Sequence, residues 1–149
     1  IIPAAFGLIF LSEIIVSVIY EYGIFGEYEV KVVSNVLVGF SFGLPAYVLI
    51  RIFSSVFYSM ADTKNPLKYS LIAIGINITL SVPLFVNFGV VGIAYATSLS
   101  AWVHLIIIFV KLRRLKLILI NMQIFTEIIK IIFSSLMMLL IIQMIVLKI

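Results

Sequence analysis

The sequence VSNVLVGFSFGLPAYVLIRIFSSVFYSM, from Val33 to Met60, contains a single charged residue, Arg51. A helix needs about 20 predominantly apolar residues to cross the hydrocarbon core of a bilayer, and this stretch exceeds that length. Backbone polar groups in lipid must be hydrogen-bonded within their own segment, so an α-helix is expected. The stretch therefore predicts a transmembrane helix with one charged side chain inside it.

The composition of the whole chain points the same way. Of 149 residues, 64% are hydrophobic and 11% are charged, and the mean hydropathy is +1.35. A soluble domain carries about 25% charged residues, so lipid is the expected solvent. There is no cysteine, which excludes disulfides and thiolate metal sites. The basic residues form no stripe on a polar domain, which argues against nucleic-acid binding, and no metal or cofactor motif is present.

Five apolar segments are long enough to span a membrane, at about residues 1–20, 33–60, 67–86, 90–110 and 124–147. The polar turn Asp62–Pro66 and the tight turn Asn87–Gly89 separate neighbouring segments. The pattern predicts an all-α fold, a polytopic membrane helix bundle. Because the chain begins at Ile1 inside an apolar run, we expect it to be a piece of a longer protein.

The distribution of charge predicts the topology. Lys and Arg accumulate in cytoplasmic loops of membrane proteins. Four basic residues lie between Lys111 and Lys116, whereas the segment from Glu21 to Lys31 holds three acids and one lysine. We therefore expect residues 111–116 to be cytoplasmic, residues 21–31 to be periplasmic, and the first span to run from cytoplasm to periplasm.

Arg51 is the most informative single residue. It lies about 15 Å along the helix from the polar turn at Asp62, near the bilayer centre. An arginine at that depth costs at least about 2.5 kcal/mol and should face a bundle interior or a wet cavity. At 100° per residue, four polar residues fall within about 60° of it: Tyr47, Ser54, Ser55 and Tyr58. Two interpretations stay open, a structural arginine that snorkels or pairs with an acid, and a cavity arginine that contacts a substrate.

Other polar residues are assigned as gate elements or polar partners: Asp62, Lys64, Glu13 and Asn77. Asp62 either belongs to an ordinary helix-breaking turn or caps the next helix and pairs with a basic residue elsewhere. Glu13 either reaches the interface or pairs with a cation, or takes a direct part in transport. Asn77 is expected to hydrogen-bond a neighbouring helix. His104 is expected to form an interhelical hydrogen bond as well, the alternative being a proton relay, and it has no companions for a metal site.

Small residues recur at every fourth position on two spans. Gly39 and Gly43 form a GxxxG pattern. A longer ladder consists of Gly92, Ala96 and Ser100, with Ala94 and Ser98 beside it. Such ladders let two helix backbones approach closely, so they indicate packing and say little about function.

Five blocks of sequence resemble, in order, the MurJ/MviN family of lipid II flippases. The most specific is FYSMADTKNP, from Phe57 to Pro66. The other four are IPAAFGL from Ile2, YEYGIF from Tyr20, FSFGLPA from Phe40 and VGIAYATSLSAW from Val91. Together the blocks run from Ile2 to Trp102, about two-thirds of the chain, and they are spaced by spans of the right length.

The resemblance implies a position and a function. Residues 1–149 would be the C-terminal transmembrane region, part of the second lobe of a transporter whose N-terminal lobe is absent here. The family, within the multidrug/oligosaccharidyl-lipid/polysaccharide exporter superfamily, implies a bacterial inner-membrane protein that moves lipid II across the membrane. Its partners would be lipid II or a related polyprenyl-diphosphate lipid, together with membrane lipids. Arg51 with Tyr47, Ser54, Ser55 and Tyr58 would then form the cargo-binding face.

Three rival functions remain at this stage. The nearest is another exporter of the same superfamily, for O-antigen, polysaccharide or drugs. A membrane enzyme acting on polyprenyl lipids would need an acidic or histidine cluster at a membrane face, and the sequence shows no such set. A purely structural membrane subunit would not need the polar face around Arg51. We therefore expect a transporter and not an enzyme.

Overall fold

The structure, a computed structural model, describes residues 1–20, 26–116 and 122–146. Within those residues it contains five α-helices and no strand: α1 (Ile2–Tyr20), α2 (Glu27–Ser59), α3 (Lys64–Phe88), α4 (Val90–Arg114) and α5 (Met122–Val146). The predicted all-α class is confirmed. Most of the sequence block that begins at Tyr20 lies outside the described residues.

Four helices, α1 to α4, are long and apolar enough to cross a membrane, and the described part of α5 contains a shorter apolar stretch, Ile129–Ile142. The helix α2 begins at Glu27, six residues before the predicted span. Its acidic first turn explains the early start, because Glu29 accepts a hydrogen bond from the backbone N–H of Gly26 at 3.0 Å. The limits of each span within the bilayer stay predictions.

The helices form an irregular row in which some neighbours in space, α2 with α4 and α1 with α5, are not neighbours in sequence. The helix α4 packs extensively against both α2 and α3, whereas α2 and α3 scarcely touch each other. On the other side, α1 packs against α2 and also contacts α5. The resulting order is α3, α4, α2, α1, α5, which makes α2 and α4 the centre of the bundle.

Small residues on α4 allow it to pack on two sides at once. Facing α2, a Cβ added at Gly39 would lie 2.9 Å from the Cβ of Ala94, and one added at Gly43 would lie 2.6 Å from the Oγ of Ser98. Facing α3, Gly92 approaches the main chain of Leu84 so closely that no side chain would fit. The predicted ladders are therefore packing surfaces, each with a different neighbour.

Three hydrogen bonds from side chains to main-chain carbonyl oxygens join α2 and α4. They run from the Tyr47 hydroxyl to Thr97 at 3.3 Å, from the Ser98 hydroxyl to Gly39 at 2.5 Å, and from the Trp102 indole N–H to Phe42 at 3.1 Å. Towards Arg114, the contact continues as an apolar core around Phe57, Ile108 and Leu112. These bonds and this core hold α2 and α4 together as one unit.

Candidate functional site

Arg51 lies on an exposed surface of α2, eight residues before the helix ends at Ser59. That separation corresponds to about 12 Å along the helix axis. Within the described ranges, Arg51 forms no hydrogen bond or salt bridge, and the salt bridge found there joins Lys130 to Glu127 at 2.8 Å. The structure therefore leaves this guanidinium group without a protein partner in that part of the chain.

The packing of α2 explains why Arg51 faces outward. The buried face of the helix carries Gly39, Gly43, Ala46 and Phe57, all in contact with α4 or its apolar core. The first three of these residues are small, where the helix backbones approach closely, and Phe57 packs against Ile108 and Leu112. The face around Arg51 points away from this contact and remains open.

The four polar neighbours of Arg51 share its open face, and we call the five residues together the Arg51 face: Tyr47, Arg51, Ser54, Ser55 and Tyr58. Tyr47 is 41% exposed and Tyr58 is 56% exposed, while Ser54 is half-buried and Ser55 is exposed. The Ser55 hydroxyl donates to the carbonyl oxygen of Ile52 at 2.7 Å, which leaves its lone pairs free to accept. The Arg51 face thus presents one cation and several hydroxyls to whatever lies against it.

Asp62 stabilises the turn that follows α2. Its carboxylate accepts a hydrogen bond from the backbone N–H of Asn65 at 3.1 Å and a second from the Asn65 side-chain amide. These bonds favour the charged form and hold the pKa of Asp62 below its usual range, the side-chain amide contributing most and Lys111 contributing only slightly. Asp62 therefore caps the start of α3 as an ionised group, and Lys64 beside it is exposed.

Asn77 forms the interhelical hydrogen bond that its position predicts. Its side-chain N–H donates to the Ser100 hydroxyl on α4 at 3.0 Å, and its carbonyl oxygen accepts from the Ser81 hydroxyl at 3.1 Å. Asn77 and Ser100 line a groove of about 350 Å³, which lies over α4 between α3 and Tyr47 of α2. The sequence did not predict this groove, because the polar residues that line it lie on three different helices.

The expected interhelical hydrogen bond of His104 is wrong. The Nε2 atom of His104 is buried against the same groove and has no hydrogen-bond partner among the described residues. Two other polar side chains that line this groove, Asn77 and Ser100, already bond to each other. His104 therefore lines the groove beside two side chains that are already hydrogen-bonded to each other.

Glu13 is exposed and lines a separate cleft between α1 and α2, together with Ser17, Glu27 and Lys31. The cleft measures about 330 Å³. Glu13 and Lys31 share it without forming a salt bridge in the part of the chain that the structure describes. Arg51 does not line this cleft, so Glu13 and Arg51 belong to different surfaces of the bundle.

A bundle of helices long and apolar enough to cross a membrane, with a cation on an open polar face of one of them, is typical of a multi-pass integral membrane protein of the transporter kind. The family model described as "Lipid II flippase MurJ" matches residues 1–149. The chain belongs to this family, the MurJ lipid II flippases, which are transporters and not enzymes.

Individual relatives agree with this assignment. A probable lipid II flippase MurJ of Rhizobium tropici is 40% identical over 113 residues, covering 76% of this chain and 21% of the relative. One of Rickettsia prowazekii (strain Madrid E) is 39% identical over 104 residues, covering 70% and 20%. One of Buchnera aphidicola subsp. Acyrthosiphon pisum (strain APS) is 31% identical over 140 residues, covering 94% and 27%.

A solved structure of a lipid II flippase MurJ, in an inward closed conformation, has the same fold. It superposes with a TM-score of 0.82 at 29% sequence identity, over 96% of this chain and 29% of that one. The chain thus spans between a fifth and a third of the length of the proteins it matches.

Proposed function

We propose that this chain forms part of a flippase that carries lipid II, an undecaprenyl-diphosphate-linked peptidoglycan precursor, across the bacterial inner membrane. Transport runs from the cytoplasmic to the periplasmic leaflet by alternating access. The observation that carries the proposal is the Arg51 face, on a helix of membrane-spanning length, where a guanidinium group without a partner among the described residues lies among hydroxyls. The names of the relatives support the same cargo.

The chemistry of the Arg51 face suits a diphosphate headgroup. A charged headgroup cannot cross hydrocarbon unaided, because lipid tails offer no interaction that offsets the free-energy cost of removing its hydration. An arginine binds two phosphate oxygens at once through its planar fork and stays charged when partly buried. The hydroxyls of Ser54 and Tyr58 can donate to the remaining oxygens, whereas the Tyr47 hydroxyl already donates to Thr97.

The packing of the bundle supports alternating access. Transporters of this kind move one bundle of helices against another around a fixed binding site. The three hydrogen bonds and the small-residue contacts between α2 and α4 make these helices a rigid unit. In the proposed mechanism, the unit rocks against the rest of the transporter, so that the Arg51 face is open first to one side of the membrane and then to the other.

The test is complementation in a strain depleted of its own lipid II flippase. A complete flippase whose corresponding segment is this chain should restore growth, and lipid II should become accessible on the outer leaflet of spheroplasts. An O-antigen or drug exporter would leave lipid II on the inner leaflet. Normal protein insertion with no movement of lipid II would refute the proposed cargo.

A further inference from the structure

The end of α4 that carries the basic cluster also borders a groove against α3. The groove holds about 320 Å³ and is lined by Tyr69, Ile106, Ile107, Val110, Lys111 and Arg114. The end of the groove near Ile106 is apolar, and the end near Arg114 carries the two cations. We call it the Lys111 groove, and it is separate from the Arg51 face and from the groove over Asn77.

Helical spacing accounts for the shape of the Lys111 groove. Residues three and four apart share one face of a helix, so Ile107, Lys111 and Arg114 follow one another along α4. Ile106 and Val110 lie beside them, and the stretch from Ile106 to Arg114 covers about 12 Å. The other face of α4 at this level is buried, with Ile108 and Leu112 fully inaccessible.

The two cations in the groove are available to a ligand. Lys111 is half-buried, Arg114 is exposed, and neither forms a salt bridge in the described ranges. Asp62 lies near enough to feel the charge of Lys111, but its hydrogen bonds go to Asn65. Tyr69 completes the wall, its ring held edge-on against Phe57 at a centroid distance of 6.2 Å.

We propose that the Lys111 groove binds an anionic glycerophospholipid such as phosphatidylglycerol. The lipid phosphate lies against Lys111 and Arg114, and one acyl chain lies over Ile106, Ile107 and Val110. Basic pockets between membrane helices on the cytoplasmic side have the charge and shape that such headgroups require. The apolar floor below the cations distinguishes a whole lipid from a free phosphate, which would gain nothing from it. The inference goes beyond the proposed transport and does not depend on it.

A general excess of positive charge at cytoplasmic ends would also attract anionic lipids, and the chain supplies a matched control for it. Arg113 and Lys116 are exposed at the same helix end but do not line the groove. The double variants Lys111→Gln/Arg114→Gln and Arg113→Gln/Lys116→Gln remove the same charge. Only the first pair removes the cations of the Lys111 groove.

The experiment measures phosphatidylglycerol binding to the delipidated complete flippase carrying this segment, by native mass spectrometry, with phosphatidylcholine as the reference lipid. Lys111→Gln/Arg114→Gln should weaken phosphatidylglycerol binding about 30-fold, which corresponds to about 1 kcal/mol for each cation. Arg113→Gln/Lys116→Gln should weaken it less than about 3-fold. Equal loss in both variants, or loss in neither, would overturn the proposal.

Two further arms identify the ligand. Ile106→Ala shortens an exposed apolar side chain of the groove floor without placing a polar group in lipid, and phosphatidylglycerol binding should fall. The deacylated headgroup, glycerophosphoglycerol, should compete poorly, and equal competition would show that no acyl chain is bound. Lipid II should not displace the phosphatidylglycerol that depends on Lys111 and Arg114. Displacement would make the groove a cargo site and reject the assignment, whereas failure of transport alone leaves it standing.

Discussion

The hydroxyl group of Ser98 on α4 donates a hydrogen bond to the main-chain carbonyl oxygen of Gly39 on α2. Ser98 is fully buried, and the bond is possible only because Gly39 and Gly43 have no side chains to keep the helices apart. A polar group in this position links two helix backbones without exposing any unpaired atom to lipid. This contact sets the distance between α4 and α2, the helix that carries the Arg51 face.

Ser98→Ala should destabilise the protein by about 0.6 kcal/mol, the typical value for an interhelical hydrogen bond in a membrane protein. The measurement is the free energy of unfolding in mixed detergent. Ser59→Ala is the control, because its hydroxyl is exposed and donates to Val56 on its own helix. An equal effect of the two changes would show that the interhelical bond contributes nothing.

Gly43→Ala should destabilise by about 1–3 kcal/mol, since the added methyl group overpacks the contact with Ser98. Gly75→Ala adds the same methyl group to α3, where nothing lies within 4 Å, and should be neutral or slightly stabilising. Combining Gly43→Ala with Ser98→Gly should recover part of the loss, because Ser98 supplies the nearest atom. Strict additivity of the two changes would contradict this account.

Asp62→Asn should remove a pH-dependent part of the stability. The pKa of Asp62 is lower in the folded protein than its ordinary value of 3.8, because Asn65 donates to the ionised form. The stabilisation is therefore complete above that value and is lost as the pH falls through the folded-state pKa. The gap between the unfolding midpoints of the two proteins should be constant near neutral pH and should narrow as the pH falls below 3.8. A constant gap across the range would show that the charge of Asp62 has no such role.

Arg51→Ala should abolish complementation of a flippase-depleted strain while the protein still inserts at its normal level. Arg51→Lys should rescue transport only partly, since an ammonium group cannot bind two phosphate oxygens in the planar geometry of a guanidinium. Growth assays give the activity and immunoblots of membranes give the protein level. Two silent substitutions would mean that Arg51 only snorkels to the membrane surface.

Single cysteines should report the predicted topology without interference, because the sequence contains none of its own. In intact cells, an impermeant thiol reagent should label a cysteine at position 27 and leave one at position 113 unlabelled. Permeabilised cells should show labelling at both, which controls for accessibility. Labelling at 113 alone in intact cells would reverse the orientation.

Local chemistry accounts for what the sequence could predict. The apolar composition indicated that the chain lies in a membrane, and the turns around Asp62 and Gly89 indicated where helices end. Together these features predicted an all-α membrane bundle. Gly89 adopts a positive φ of 61° between α3 and α4, a conformation that suits a residue without a Cβ. The alignment of Tyr47 and Tyr58 with Arg51 needed only the helical repeat.

The partners of each helix were decided by the tertiary structure alone. Helical periodicity assigns residues to faces, but it does not say which face meets which neighbour, and α4 carries small residues on two faces. Packing placed Ser98 against α2 and Ser100 against Asn77 on α3, and it left the Nε2 atom of His104 without a hydrogen bond in the part of the chain that the structure describes. It also brought Tyr69 beside Lys111 and Arg114, although they are more than 40 positions apart in the chain. The physical reason is that close packing depends on the shapes of both surfaces together, and neither helix contains that information by itself.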